Sequence, residues 1–253
     1  MILHGLFGAS DNWVSIARSL SKRFTIILPD LRNHGQSPHS DIHDYDSMSS
    51  DIYELANDLH TGSFLLAGHS MGGRVAMNFA LKWPEKILGL AIADISPVAS
   101  PARDKKVKEQ HCEILNTIIA CDLTGIKSRS EVNAFLESGI GSEKIRDMIM
   151  KNLQRNADNS FTWKLNAVSL LKNIDRIMEG ITIPESGYYQ IKGFPVLFLK
   201  GENSDYLPEA DFSEILKIFP AAEFITIPHA GHWLHADNPE GVRESLLRLA
   251  GDD

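Results

Sequence analysis

Residues 63–73 read Ser63-Phe64-Leu65-Leu66-Ala67-Gly68-His69-Ser70-Met71-Gly72-Gly73, a strand-to-helix passage with a serine at its turn. Its first part is an apolar run of strand length. The residues that follow, Met71 to Trp83, carry apolar side chains at helical spacing. A strand that passes into a helix within so few residues must turn sharply, and Ser70 sits at the turn between Gly68 and Gly72. Side chains at those two positions would collide with the turn, whereas a serine there projects its hydroxyl outward at the start of a helix. Backbone N–H groups and the helix dipole at that end favour developing negative charge. A phosphate-binding loop is the competing reading, but no Lys-Ser or Lys-Thr pair follows and the loop is too short.

Outward from the turn, short apolar runs alternate with helical stretches. The runs are Met1 to Leu3, Phe24 to Leu28, Ser63 to Ala67, Ile87 to Ala93, Pro195 to Leu199 and Glu223 to Ile227. Two of them, Phe24 to Leu28 and Val196 to Leu199, have almost no polar interruption, as strands buried on both faces require. Helices are predicted at Asp11–Leu20, Ser47–Leu59, Met71–Trp83, Glu209–Phe219 and Glu240–Ala250, the last begun by Asn238 and Pro239. The pattern predicts an α/β fold, a mostly parallel sheet with helices on both faces. From Pro97 to Gln190 the alternation stops. This stretch is charged and helix-like, too long for a connection, and reads as a helical cap (97–190) inserted into a core made of 1–96 and 191–253. A second helical stretch is predicted inside it at Lys144–Gln154, with a turn at Asp158-Asn159-Ser160.

The chain has 253 residues, 43% hydrophobic and 23% charged, with a net charge of −8. This is the composition of an ordinary folded domain, without the basic footprint of a nucleic-acid or anionic-membrane binder. No apolar run has the length of a membrane helix, so no membrane insertion is expected. The two cysteines, Cys112 and Cys121, exclude a disulfide framework and fit a reducing, cytoplasmic setting. They cannot build a zinc site alone and read as packed thiols. The Arg103–Lys108 cluster reads as a solvated helix face rather than a phosphate site.

A serine needs a base and an electrophilic site to act as a nucleophile. Ala230-Gly231-His232-Trp233 follows the last strand run and offers His232 on a glycine-flanked loop. A metal-binding trio of His229, His232 and His235 is disfavoured because it lacks an acidic partner and leaves Ser70 unexplained. His4-Gly5-Leu6-Phe7-Gly8 follows the first strand run, so the backbone N–H groups of Leu6 and Met71 are the expected oxyanion donors. No metal or organic cofactor is expected. Arg32 and His34 are read as shaping the loop after the second run, and Trp233 as packing beside the histidine.

The His-Gly loop at 4–8, the segment Pro29-Asp30-Leu31-Arg32-Asn33-His34-Gly35-Gln36-Ser37, the serine turn and Gly231-His232-Trp233 together resemble the α/β-hydrolase superfamily. The similarity is greatest to the small bacterial esterases of the YbfF type and their mitochondrial relatives, including Asp94-Ile95-Ser96-Pro97. It covers the chain apart from the cap. It implies a cofactor-free serine esterase or thioesterase acting on a small-molecule acyl ester through an acyl-enzyme on Ser70. Two carboxylates compete as the acid of a triad. Asp205 lies in Gly201-Glu202-Asn203-Ser204-Asp205, but the usual Gly-x-x-Asp spacing falls on Ser204 and finds a hydroxyl. Asp94 ends the Ile87–Ala93 run, and the resembled group carries its acid in an Asp-Ile-x-Pro segment, so Asp94 is favoured with Ser70 and His232.

Relatives of this kind have two further strands ahead of the His-Gly loop, where this sequence has Met1 to Leu3. Either the numbered chain is shortened, or the sheet has six strands with Phe24–Leu28 as an apolar edge prone to association. Two other functions stay open on this fold: a C–C bond hydrolase or lyase of the menaquinone-pathway type, and a slow-hydrolysing ligand receptor. Dehalogenase and epoxide hydrolase chemistry would need a carboxylate at position 70.

Overall fold

The computed structural model describes residues 1–182 and 190–251, with backbone alone at 101–103. In chain order the elements are β1 (Ile2–Leu3), α1 (Val14–Leu20), α2 (Tyr45–Asp58), β2 (Phe64–His69), α3 (Met71–Lys82) and β3 (Ile87–Ala93). The expected cap follows with α4 (Pro101–Ala120), α5 (Arg129–Glu137), α6 (Glu143–Met150), β4 (Leu153–Arg155), β5 (Phe161–Trp163), α7 (Ala167–Lys172) and α8 (Ile174–Met178). The chain closes with β6 (Val196–Gly201), α9 (Phe212–Ile218), β7 (Ala222–Ile227), α10 (Leu234–Asp237) and α11 (Pro239–Leu249). Among the described residues β1, β2, β3, β6 and β7 form one parallel sheet in the order β1-β2-β3-β6-β7.

The two-residue period of the strands divides the core. Leu66, Leu90, Ile92 and Phe198 point to one face and pack with Met48 and Ile52 of α2, Val75 and Phe79 of α3, and Ile215 of α9. Ala67, Ala91, Ala93, Leu197 and Leu199 alternate to the other face, against Ile16 and Leu20 of α1 and Val242 and Leu249 of α11. Small alanines on this second face let the helices approach the sheet closely. The helix starts follow from side-chain caps. Asp44 accepts the Ser47 N–H at 2.7 Å before α2, and Asn238 accepts the Gly241 N–H at 2.9 Å before Pro239 of α11.

Three expectations are corrected. Phe24–Leu28 is not a strand, and the sheet has five strands rather than six. The segment runs beside β1, bonded through the Ile2 N–H to the Ile27 carbonyl at 3.0 Å, because a two-residue strand offers too little ladder to define a partner. Phe24, Ile26 and Leu28 are half-buried there, and an apolar groove of about 720 Å³ lies between this segment, Phe64 and Leu246. The helix predicted over Lys144–Gln154 ends at Met150. The stretch expected to lack strands instead forms an antiparallel hairpin, β4 with β5. Its turn is the predicted Asp158-Asn159-Ser160, where Asn159 adopts φ +67° and the Asp158 carboxylate accepts the Ser160 N–H at 3.0 Å.

Residues 104–182 build a hydrophobic cluster of their own around Leu115, Ile118, Leu136, Ile149, Phe161 and Leu170, joined by Phe7 from the loop after β1. Polar bonds fasten this layer to the core. Arg74, 3% exposed on α3, donates to the carbonyls of Ser96, Ile177, Met178 and Glu179. The Asn166 side chain donates to the Asn33 side-chain oxygen at 3.0 Å. Residues 183–189 of the expected cap lie outside the described residues.

Candidate active site

Parallel strands all end on the same side, and the chemistry-bearing loops collect there. Ser70 follows β2, Asp94 follows β3, Gly201 ends β6, and the His232 loop follows β7. Ser70 has φ +53° and Asp94 φ +52°, a left-handed backbone that non-glycine residues rarely adopt. The glycines beside Ser70 are there for space. A Cβ on Gly68 would stand 2.2 Å from the Gly72 carbonyl oxygen, and one on Gly72 would stand 2.5 Å from the His4 carbonyl oxygen.

His232 bridges the other two residues. Its Nε2 lies 3.0 Å from Ser70 Oγ and its Nδ1 lies 2.8 Å from Asp94 Oδ2. With Nδ1–H donated to the carboxylate, Nε2 carries the lone pair that accepts the serine proton. Asp94 is fully buried and its oxygens are occupied: Oδ1 accepts the Gly201 N–H at 3.0 Å, and Oδ2 also accepts the Ser204 hydroxyl. These donors satisfy a carboxylate that has no access to water. Asp205 is exposed on the neighbouring turn. The residue at the usual Gly-x-x-Asp spacing, Ser204, therefore meets the carboxylate of Asp94.

Several residues of the site were not singled out from sequence. Tyr206 stacks on the His232 ring at 3.6 Å between centroids and 17° between planes, and burial raises its hydroxyl to about 12. His69 donates Nε2–H to the His232 carbonyl oxygen at 2.7 Å, fastening the histidine loop to β2. His4 sets the loop after β1: its Nδ1 pairs with the Gly5 carbonyl and its Nε2 accepts the Leu31 N–H, each at 2.9 Å. No short-range spacing marks the His69 contact, since His69 and His232 are separated by more than half the chain.

The remaining expected residues fall into structural roles. Arg32 pairs with both carboxylate oxygens of Asp51 at 2.6 Å, and His34 packs tilted against His4 at 5.1 Å between centroids. Trp233 receives the Lys144 ammonium over its ring at 4.9 Å. Lys105 and Lys106 are exposed and Lys108 pairs with Asp175, while the Arg103 side chain lies outside the described residues. His229 is 93% exposed, His235 stacks on Trp13, and His232 is engaged with Asp94, so the three histidines do not converge. Among the described residues no group of three or more His, Cys, Asp or Glu side chains is arranged to hold a metal ion.

A cleft of about 250 Å³ opens at Ser70. Leu6, Phe7, Ile114, Met148, Tyr206 and Trp233 line it together with His232, and Lys144 and Lys151 stand on its α6 side.

Burial lowers the imidazoles of His43, His111 and His235 to about 4, and it lowers His4, His34 and His69 as well. These rings are neutral in the folded protein, whereas in the unfolded chain they bind protons below about pH 6.5. Stability is therefore complete above pH 6.5 and is lost as the pH falls from there toward 4. At pH 5.5 His43, His111 and His235 each contribute a loss of about 1 kcal/mol. Urea unfolding at pH 7.5 and 5.5 is expected to show a clear drop in midpoint at the lower pH, and an unchanged midpoint would contradict the neutral burial of these rings.

A family model described as alpha/beta hydrolase fold matches residues 1–127. The sequence is similar to the sn-1-specific diacylglycerol lipase ABHD11 of Danio rerio, 36% identical over 250 residues, which are 98% of this chain and 76% of that protein. It is also similar to the esterase YbfF of Escherichia coli, 30% identical over 252 residues, covering 100% of this chain and 92% of that one. The solved structure of a marine microorganism esterase matches with a TM-score of 0.92 at 41% identity, over 98% of this chain and 93% of that chain.

Proposed function

The chain belongs to the alpha/beta hydrolase fold family, and from that premise we propose that it is a serine hydrolase cleaving a carboxylic ester or acyl thioester. The observation that carries this reading is the bridge made by His232, 3.0 Å from Ser70 Oγ and 2.8 Å from Asp94 Oδ2. Ser70 Oγ attacks the acyl carbon while its proton passes to His232 Nε2. The carbonyl π electrons move onto oxygen, where the N–H groups of Leu6 and Met71 receive them. Asp94 stabilises the imidazolium through Nδ1–H. Collapse of the tetrahedral intermediate expels the alcohol or thiol, which takes the proton from His232 and leaves the acyl group on Ser70. Water then attacks the ester carbon, His232 accepts its proton, and the carboxylic acid leaves as Ser70 is reprotonated.

The segment 97–190 acts as the cap in this reading, since α4 and α6 supply Ile114, Met148 and Lys144 to the cleft. Relatives named as esterases and a lipase support ester chemistry over the C–C hydrolase and receptor readings. The test is kcat/KM across p-nitrophenyl esters from acetyl to palmitoyl, with the matching CoA thioesters. A cleft of about 250 Å³ lies below the roughly 300–1,000 Å³ of sites that enclose larger ligands. Short and medium acyl chains are therefore expected to exceed palmitoyl at least tenfold, with a burst of p-nitrophenol on the slow-deacylating members. Absence of turnover on every ester and thioester would overturn the reading.

A further inference from the structure

The loop that carries Leu6 is held from two sides. The core side is His4, whose ring binds the Gly5 carbonyl and the Leu31 N–H, with the Gly8 N–H closing onto Gly5 O at 3.0 Å. The other side belongs to the inserted segment. Asn152, 2% exposed just after α6, donates its side-chain Nδ2–H to the Phe7 carbonyl at 2.8 Å, across 145 residues of chain. Phe7 has φ +65°, a left-handed backbone with no glycine to accept it freely, so its geometry must be imposed by neighbours. Its ring is 3% exposed within the cap cluster and meets His111 edge-on at 5.5 Å.

Asn152 is itself fixed in place. Its N–H binds the Ile149 carbonyl and its carbonyl accepts the Lys164 N–H, each at 2.9 Å, which pins it between α6 and the β-hairpin. Its side-chain Oδ1 is buried without a partner. An apolar residue would fill this space without that desolvation cost, so the amide is accounted for by its donor N–H alone.

Resting on the serine-hydrolase reading, we propose that Asn152 is a positioning residue of the oxyanion site: it holds the Phe7 carbonyl, whose peptide partner Gly8 N–H binds the Gly5 carbonyl, and through that bond it aims the Leu6 N–H, in the Gly5–Leu6 peptide, at the oxygen that becomes negative. The cap then contributes to the chemical step as well as to the walls of the cleft. An interaction made only in the transition state lowers kcat and kcat/KM together when it is lost.

The test compares the parent with Asn152→Leu, which keeps the shape without the donor, Asn152→Asp, which turns an acceptor toward the carbonyl, and Asn152→Ser, which keeps a shorter donor. Active sites are counted by fluorophosphonate labelling taken to completion. For Asn152→Leu and Asn152→Asp, kcat per site is expected to fall at least tenfold with KM within twofold of the parent. Inhibition by an alkyl trifluoromethyl ketone, whose hemiketal oxygen stands in the oxyanion position, is expected to weaken by the same factor, and Asn152→Ser to recover most of both. If Asn152→Leu does not fold, Asn152→Asp decides. A kcat per site within twofold of the parent, or a fall in kcat with no change in ketone inhibition, overturns the proposal. A parent protein that neither labels nor binds the ketone instead overturns the serine-hydrolase reading itself.

Discussion

Replacing Ser70 with alanine is expected to lower kcat by roughly 10⁴-fold or more and to abolish covalent labelling by a fluorophosphonate. The loss is large because the base, the acid and the oxyanion donors all act on the oxygen removed. Ser70 Oγ is the hydroxyl bound to His232 Nε2, and the residual rate would come from binding and the oxyanion donors alone. The fold should survive. The Ser70 hydroxyl bonds to His232, while the backbone contacts of Ser70, including its N–H to the Ala93 carbonyl at 3.0 Å, do not need the hydroxyl. Circular dichroism and the urea midpoint should match the parent closely. A pure, folded Ser70→Ala protein with substantial esterase activity would remove Ser70 from the chemistry.

Asp94→Asn is expected to cost roughly 10³–10⁴-fold in kcat/KM, and Asp205→Asn less than twofold. An amide NH₂ facing His232 Nδ1 would force the proton onto Nε2, and the ring could then no longer accept one from Ser70. The amide oxygen can still serve the Gly201 N–H, which keeps the local backbone in place. Asp205 is exposed, and its neighbour Ser204 supplies the contact to Asp94. The comparison needs one chromogenic ester, both variants and a check of folding. A larger loss from Asp205→Asn would reassign the acid and leave Asp94 as a structural residue of the turn after β3.

The fold was legible because its signals are local. The apolar run at Phe64–Ala67, the glycines around Ser70 and the helical spacing of Met71–Trp83 each lie within one element, and so do Asn238 and Pro239 at the start of α11. Phe24–Leu28 misled because an apolar run reports burial and not a hydrogen-bonding partner: those residues are half-buried beside β1 without forming a ladder. The hairpin of β4 and β5 was hidden for the opposite reason, since three-residue strands carry too few alternations to register. At the site, the positions of Ser70, Asp94 and His232 could be proposed from turns that follow strands. The residues around them could not. Tyr206, His69 and Asn152 reach their partners only after folding, as with Asn152 and Phe7, and nothing in their immediate sequence marks the contact. The Ser204 hydroxyl was visible as a departure from the Gly-x-x-Asp spacing, and its contact explains the departure: with the carboxylate supplied by Asp94, that position serves as a donor.

The proposed mechanism passes acyl transfer through Ser70. Its most direct measurement is peptide mass spectrometry of the protein after partial inactivation by a fluorophosphonate, with remaining esterase activity followed in the same samples. One adduct per chain is expected, on the peptide containing Ser70, with activity falling in proportion to its occupancy and no adduct in Ser70→Ala. Full activity in protein whose Ser70 is completely modified, or inactivation that tracks an adduct on another residue, would contradict it.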